Sequence, residues 1–199
     1  MSYELAYVLI TPYTIRKSRT GAVLSRLLGR ARCRLVAAQM VGLTQDMAEQ
    51  YAASIQPVRN PKEERYRQLI REYILEHFSP EPNGRPHRAL MLVFCGVNAR
   101  RELADIVGSL TISCDSGETI RNAFGDLVCY PSGAVRYFEP GVLFSEPEGP
   151  VAQDLKEWCR FLRRQPALLE NVCVYPKPDR VQQTLVLIKP DSWRQQSSR

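Results

Sequence analysis

Histidine is scarce and cysteine is dispersed: among 199 residues the only imidazoles are His77 and His87. Six cysteines (Cys33, Cys95, Cys114, Cys129, Cys159 and Cys173) include no Cys-x-x-Cys pair. That scatter argues against a metal site or a disulfide framework, both of which need tight, patterned spacing. Reduced cysteine in apolar stretches acts as a small hydrophobe, which points to a reducing, cytoplasmic compartment. No apolar run approaches the roughly 18 residues of a membrane span. Glu4 stands directly before the strand-like Leu5–Ile10, a start unlike a signal peptide. Acidic residues are missing entirely from Leu5 to Gln45.

Positive charge fills that gap. Arg16, Lys17, Arg19, Arg26, Arg30, Arg32 and Arg34 crowd together in a chain of net charge +6. Such a patch either attracts anions (nucleotide phosphates, RNA, an acidic partner) or forms a solvated helix face. It has no interleaved aromatics beyond Tyr13, and no recognised nucleic-acid module is visible, so nucleic-acid binding is not expected. With 44% hydrophobic and 24% charged residues the composition is that of an ordinary globular protein.

Strands and helices alternate. Leu5–Ile10 reads as a buried strand and Leu35–Val41 as a second strand, and Thr20 is the expected N-cap of a helix with Val23, Leu24, Leu27 and Leu28 on one face. Thr44 caps a helix through Tyr51 and Ala53. Asn60, Pro61 and Glu63 mark the next helix start with a cap, a first-turn proline and a capping-box pattern. Tyr66, Leu69, Ile70, Tyr73, Ile74 and Phe78 then keep helical spacing. Ala89–Cys95 is a buried strand, Asn98 caps a helix, and strands are expected at Asp126–Tyr130 and Val135–Phe138. Val151–Arg164 is helical. His77 at a helix end and His87 in a proline-flanked loop are read as solvent-side residues.

The opening of the chain returns near its end. Val8, Leu9, Ile10, Pro12 and Arg16 recur as Val186, Leu187, Ile188, Pro190 and Arg194, at a constant offset of 178. A repeat of that length is a domain and not a solenoid unit, which runs about 20–50 residues. The expected organisation is one domain over residues 1–165, a linker over 166–182, and the first strand of a second, incomplete domain over 183–199. Thr11 in the first copy stands where the second has Lys189.

Several segments resemble a nucleoside diphosphate kinase domain. Lys189-Pro190-Asp191 matches the turn after that family's first strand, and Arg34-Leu35-Val36 its second strand. Gln50-Tyr51 matches the helix that ends in a substrate-facing tyrosine, and Gly117-Glu118-Thr119-Ile120-Arg121 its Gly-x-Thr-Ile-Arg segment. The resemblance implies a ferredoxin-like fold of the α/β sandwich kind, with a four-stranded antiparallel sheet, helices around it and β1 central. It also implies transfer of a γ-phosphate between nucleotides through a phosphohistidine, with Mg²⁺ carried by the nucleotide and possible homo-oligomers.

Little of the family's site is kept. Its strand-one lysine is Thr11, its first phosphate arginine falls on Ala104, and its threonine falls on Leu110. Gly108 is retained between those two. Arg121 and Tyr51 match nucleotide-binding positions, as does Lys189 in the second copy. Tyr137 lies where the nucleophilic histidine belongs, and both histidines precede that region. A phenol with pKa near 10 is only about 0.1% ionised at neutral pH. The first domain is therefore expected to be catalytically inactive and the second competent. Its partners would be nucleoside di- or triphosphates, bound weakly or not at all, and the second kinase-like domain of the same chain. The stretch Val58–Arg88 is longer than in the family, and its helix Pro61–Phe78 either covers the vacant pocket or presents a docking face.

Overall fold

Residues 3–108, 118–132, 135–147, 149, 151–164, 177–180, 182, 184 and 186–187 are described by the structure, a computed structural model. Along the chain lie β1 (Tyr3–Ile10), α1 (Pro12–Arg16), α2 (Thr20–Arg30), β2 (Arg34–Gly42), α3 (Gln45–Ser54) and α4 (Pro61–His77). Then come β3 (Arg88–Val97), α5 (Ala99–Val107), α6 (Ile120–Phe124), β4 (Asp126–Cys129), β5 (Val135–Glu139), β6 (Val142–Phe144) and α7 (Val151–Arg164).

Four strands form an antiparallel sheet in the order β2-β3-β1-β6. This is the ferredoxin-like arrangement, with β1 central. The period-2 alternation of strands sorts β1 between two cores. Tyr7 and Leu9 join Met47, Tyr51, Ile74 and Trp158 from α3, α4 and α7 on one face. Ala6, Val8 and Ile10 join Val23, Leu27, Leu103 and Ile120 from α2, α5 and α6 on the other. Both faces of β1 are thus dry from Ala6 to Ile10, which accounts for the apolar run there.

The fourth strand is Val142–Phe144 and not a segment expected from the sequence. Asp126–Cys129 and Val135–Glu139 do form strands, but they pair with each other in a separate two-stranded sheet. Helix starts vary in their chemistry. Thr44 caps α3 by accepting from the Met47 amide at 3.3 Å, and Asn60 caps α4 by accepting from Lys62 and Glu63. Glu63 completes no capping box: it pairs with Arg67 at 3.2 Å, one turn on. Asn98 makes no side-chain cap and instead takes a left-handed backbone conformation, at φ 54.

Helix α4 packs on its own domain. Ile70, Tyr73 and Ile74 are buried in the core shared with α3 and the sheet, so its apolar face is not free for docking. It covers the domain's interior. Cys33 is buried, and burial pushes its thiol up to about 12, the behaviour of an inert apolar residue. Cys129 and Cys159 are exposed, against the expectation of apolar surroundings. No described helix is long and apolar enough to cross a membrane. Of the second copy, Thr184, Val186 and Leu187 lie outside regular structure, with the latter two 80% and 83% exposed. The rest of that expected strand, Lys189 included, falls outside the described residues.

Packing of α4 has a direct test. Ile74→Ala should cost about 2–5 kcal/mol in urea unfolding, the range for deleting a buried branched side chain. Leu75→Ala, one residue on at a position 42% exposed, should cost about 0.5 kcal/mol or less. Equal costs would mean that α4 does not pack through this face.

Candidate functional site

Strand β1 delivers Thr11 to the end of the sheet. Thr11 begins α1 by accepting from the Thr14 amide at 3.2 Å. Its hydroxyl donates at 3.0 Å to Oε1 of Glu139, the last residue of β5. The Gly141 amide donates to the same oxygen at 2.9 Å, and the Tyr73 hydroxyl of α4 donates to Oε2 at 2.6 Å. The Thr14 hydroxyl donates to the Gly141 carbonyl at 2.8 Å. All these groups are buried, with Glu139 2% exposed. Three donors and no described cation hold the carboxylate.

Burial raises the Glu139 carboxyl above its ordinary value, and the bonds from Tyr73, Gly141 and Thr11 oppose that shift without cancelling it. Burial also raises the Tyr73 phenol, with the Glu139 charge adding to the effect. Tyr137 stands beside this group on β5, 40% exposed. Its phenol is pushed up by burial, by Tyr13 and by Glu139, further from the ionised form that attack would need.

Tyr51 and Arg121 meet in a second neighbourhood. Tyr51 is buried on α3, edge-on to Trp158 with ring centroids 5.3 Å apart. Its phenol is raised chiefly by burial, and it shares a hydrogen bond with Tyr7, which in turn reaches Asp154 of α7 at 3.5 Å. Arg121, on α6, is 4% exposed. Its Nη1 donates to the Gly108 carbonyl at 3.1 Å, and the guanidinium lies 5.0 Å over the Phe144 ring. Burial lowers its pKa to about 10, while the charge of Glu146 and the Tyr51 phenol act the other way. Nε is buried without a partner among the described residues. Gly108 is required where it stands: φ is +91, and a Cβ there would lie 2.4 Å from the Thr119 hydroxyl.

Beside Tyr7 a cavity of about 200 Å³ is lined by Asp154, Glu146 and Arg67, the last two paired at 2.6 Å. Ala104 is a half-buried residue of α5, and Leu110 lies outside the described residues.

Of the two histidines, His77 borders the first neighbourhood through Tyr73. His77 packs its ring 4.5 Å from Tyr73 and His87 lies in the loop before β3; each is half-buried, not solvent-side. Burial lowers both pKa values, with the Arg16 charge adding to the shift. The fields at Tyr51 and Arg121 come from Tyr7, Asp154 and Glu146 and from each other.

The basic stretch turns inward in part. Arg26 donates to the Thr119 carbonyl at 2.9 Å, Arg30 to that of Glu118, and Arg19 to that of Phe124 at 3.4 Å. Arg26 also lies over the Phe124 ring at 5.4 Å. These guanidinium groups clamp the segment that presents Arg121.

Glu139, Tyr73, Tyr7 and Asp154 were not candidates from the sequence. A carboxylate between the apolar Phe138 and Val142 was the available signal for Glu139. Tyr73 kept the spacing of a packing residue, and its polar end was not legible there.

Solved structures similar to this chain are nucleoside diphosphate kinases, and the fold is theirs. That from Aquifex aeolicus shares 19% identity and a TM-score of 0.53, over 84% of this chain and 98% of the other. That from Borrelia burgdorferi, a transition-state mimic with bound vanadate and ADP, shares 16% identity and a TM-score of 0.53, over 89% and 94%. One from Pyrobaculum aerophilum shares 15% identity with a TM-score of 0.53, over 80% and 95%. No protein-family profile and no curated protein sequence matches the chain.

The raised Glu139 carboxyl sets a pH dependence. The folded state holds its proton more tightly than the unfolded chain, whose carboxyl titrates near 4.5. Between that value and the folded one, the native state binds more protons, so stability falls as pH rises through the window. The wild-type stability minus that of Glu139→Gln should decline from about pH 4.5 upward, then level off above the folded value. Denaturant midpoints across that range measure it, and a difference that climbs with pH would contradict the assignment.

Proposed function

We propose that residues 1–165 are a non-catalytic domain of nucleoside diphosphate kinase architecture. The parent chain would transfer the γ-phosphate of nucleoside triphosphates to nucleoside diphosphates through a second domain that opens near Thr184. The observation that carries this reading is the Glu139 carboxylate, held by Thr11 and Tyr73 at the end of β1. Phosphoryl transfer needs cations and donors aimed at the γ-phosphate oxygens. Here the lysine position holds a threonine whose hydroxyl already serves the buried Glu139 carboxyl group, so this end offers an approaching phosphate no cation. A Mg²⁺ arriving on the nucleotide would find that carboxylate occupied by three donors of its own chain. The residues present do not fit a magnesium nucleotide. Absence of any histidine after His87 supports the same conclusion. Lys189, at the equivalent place in the second copy, supports a competent second domain.

The role left to the first domain is assembly in the cytoplasm, with its sister domain or with another copy of the chain. A second reading, nucleotide binding without transfer, is favoured by Arg121. This buried cation keeps an unpartnered Nε beside Tyr51.

A coupled phosphotransfer assay on the purified chain should read as background, because loss of a nucleophile costs on the order of 10⁴–10⁶ in turnover. Titration with ATP or GDP plus Mg²⁺ should give affinity no tighter than millimolar. Micromolar binding would favour the nucleotide-sensor reading. An acid-labile, base-stable phosphate adduct on this chain would end the proposal of inactivity. Sequencing the longer reading frame tests the second domain: it should encode a histidine in an Asn-x-x-His-Gly context well past Lys189.

A further inference from the structure

The fourth strand of the sheet is too short to cover its neighbour. β6 pairs with β1 only from Val8 to Ile10. Ser145 extends the contact by one step, its amide donating to the Tyr7 carbonyl at 3.0 Å and its Oγ accepting from the Tyr7 amide at 3.0 Å. The chain then turns, with the Gly149 amide donating to the Glu146 carbonyl at 3.1 Å. In a strand, alternate residues direct both backbone groups to the same side. Leu5 and Tyr3 share the parity of Tyr7, so their N–H and C=O groups face the edge that β6 leaves open. No described residue pairs with them there. Their side chains lie on the face of Tyr7 and Leu9, with Tyr3 76% and Leu5 45% exposed.

A groove of about 990 Å³ runs beside this edge. Leu5, Leu155 and Ala152 supply apolar lining, and Lys156, Arg160 and Arg163 supply a basic wall along α7. Those three cations form no ion pair among the described residues. Arg100 is already committed: its amide and Nε donate to the Glu4 carboxylate at 3.0 Å each, and Nη1 donates to the Gly149 carbonyl at 3.2 Å. It fixes one side of the groove and leaves the α7 side to bind.

We propose that this open edge of β1, together with the groove along α7, docks an extended peptide segment bearing carboxylate and apolar side chains. The backbone of Tyr3 and Leu5 offers alternating donors and acceptors, which a peptide strand satisfies and a nucleic-acid backbone does not. The basic wall selects carboxylates, and the apolar lining selects hydrophobic neighbours between them. The open stretch Tyr3–Ala6 is roughly 13 Å long at about 3.3 Å per residue, enough to set register for a short peptide.

The test uses the full chain and a blocked eight-residue peptide containing three glutamates and three valines. This peptide should slow hydrogen exchange of the Leu5 amide. The combined variant Lys156→Glu, Arg160→Glu and Arg163→Glu should weaken its binding at least tenfold. These positions are exposed on α7, and the far-ultraviolet spectrum of the variant checks its fold. N-methylation of the peptide's pairing edge should abolish binding to the unaltered chain, a control that needs no protein variant. Equal binding of a lysine-for-glutamate peptide or of the N-methylated peptide would overturn the proposal. So would preferential binding of a single-stranded oligonucleotide in the groove. Protection of the Leu5 amide in the free chain would also overturn it, because the edge would then be covered by the chain's own residues or by a second copy.

Discussion

One buried carboxylate ties this domain together. Glu139 draws its donors from the end of β1, from the middle of α4 and from the turn before β6. A carboxyl group in a dry interior is tolerable only while those partners remain, and removing one leaves a buried polar atom unsatisfied. The constraint reaches outward from there. Helix α4 must pack inward because it alone carries the Tyr73 hydroxyl. The β5–β6 turn must bring Gly141, with φ +69, against Thr11, whose amide donates to its carbonyl at 3.3 Å.

The two neighbourhoods are built differently. At Thr11, the groups around Glu139 satisfy one another through hydrogen bonds from Thr11, Tyr73 and Gly141. At Arg121, a buried guanidinium is engaged by the Gly108 carbonyl and the Phe144 ring. The fold is shared with nucleoside diphosphate kinases of known structure whose sequence likeness is below 20% in the three compared.

Much of the fold was legible because its signals were local. The apolar run of β1, the Asn60-Pro61 start of α4 and the Thr44 cap each act within a few residues. Val142–Phe144 escaped notice because three residues carry no periodicity, and β4 and β5 read as sheet strands because pairing partners leave no mark on a short segment. Tyr51 and Arg121 were singled out through resemblance, and both are buried. Glu139 could not be, since its partners lie 66 and 128 positions away in the chain. A tyrosine at core spacing and a threonine after a strand announce nothing about the anion they will share.

The arginine clamp on residues 118–124 carries one last implication. Backbone carbonyls are neutral acceptors, so each takes one nitrogen of Arg19, Arg26 or Arg30 without cancelling any positive charge. The long-range field of this face therefore persists while the segment is held. Such a surface gathers a diffuse cloud of anions and accelerates the arrival of acidic molecules.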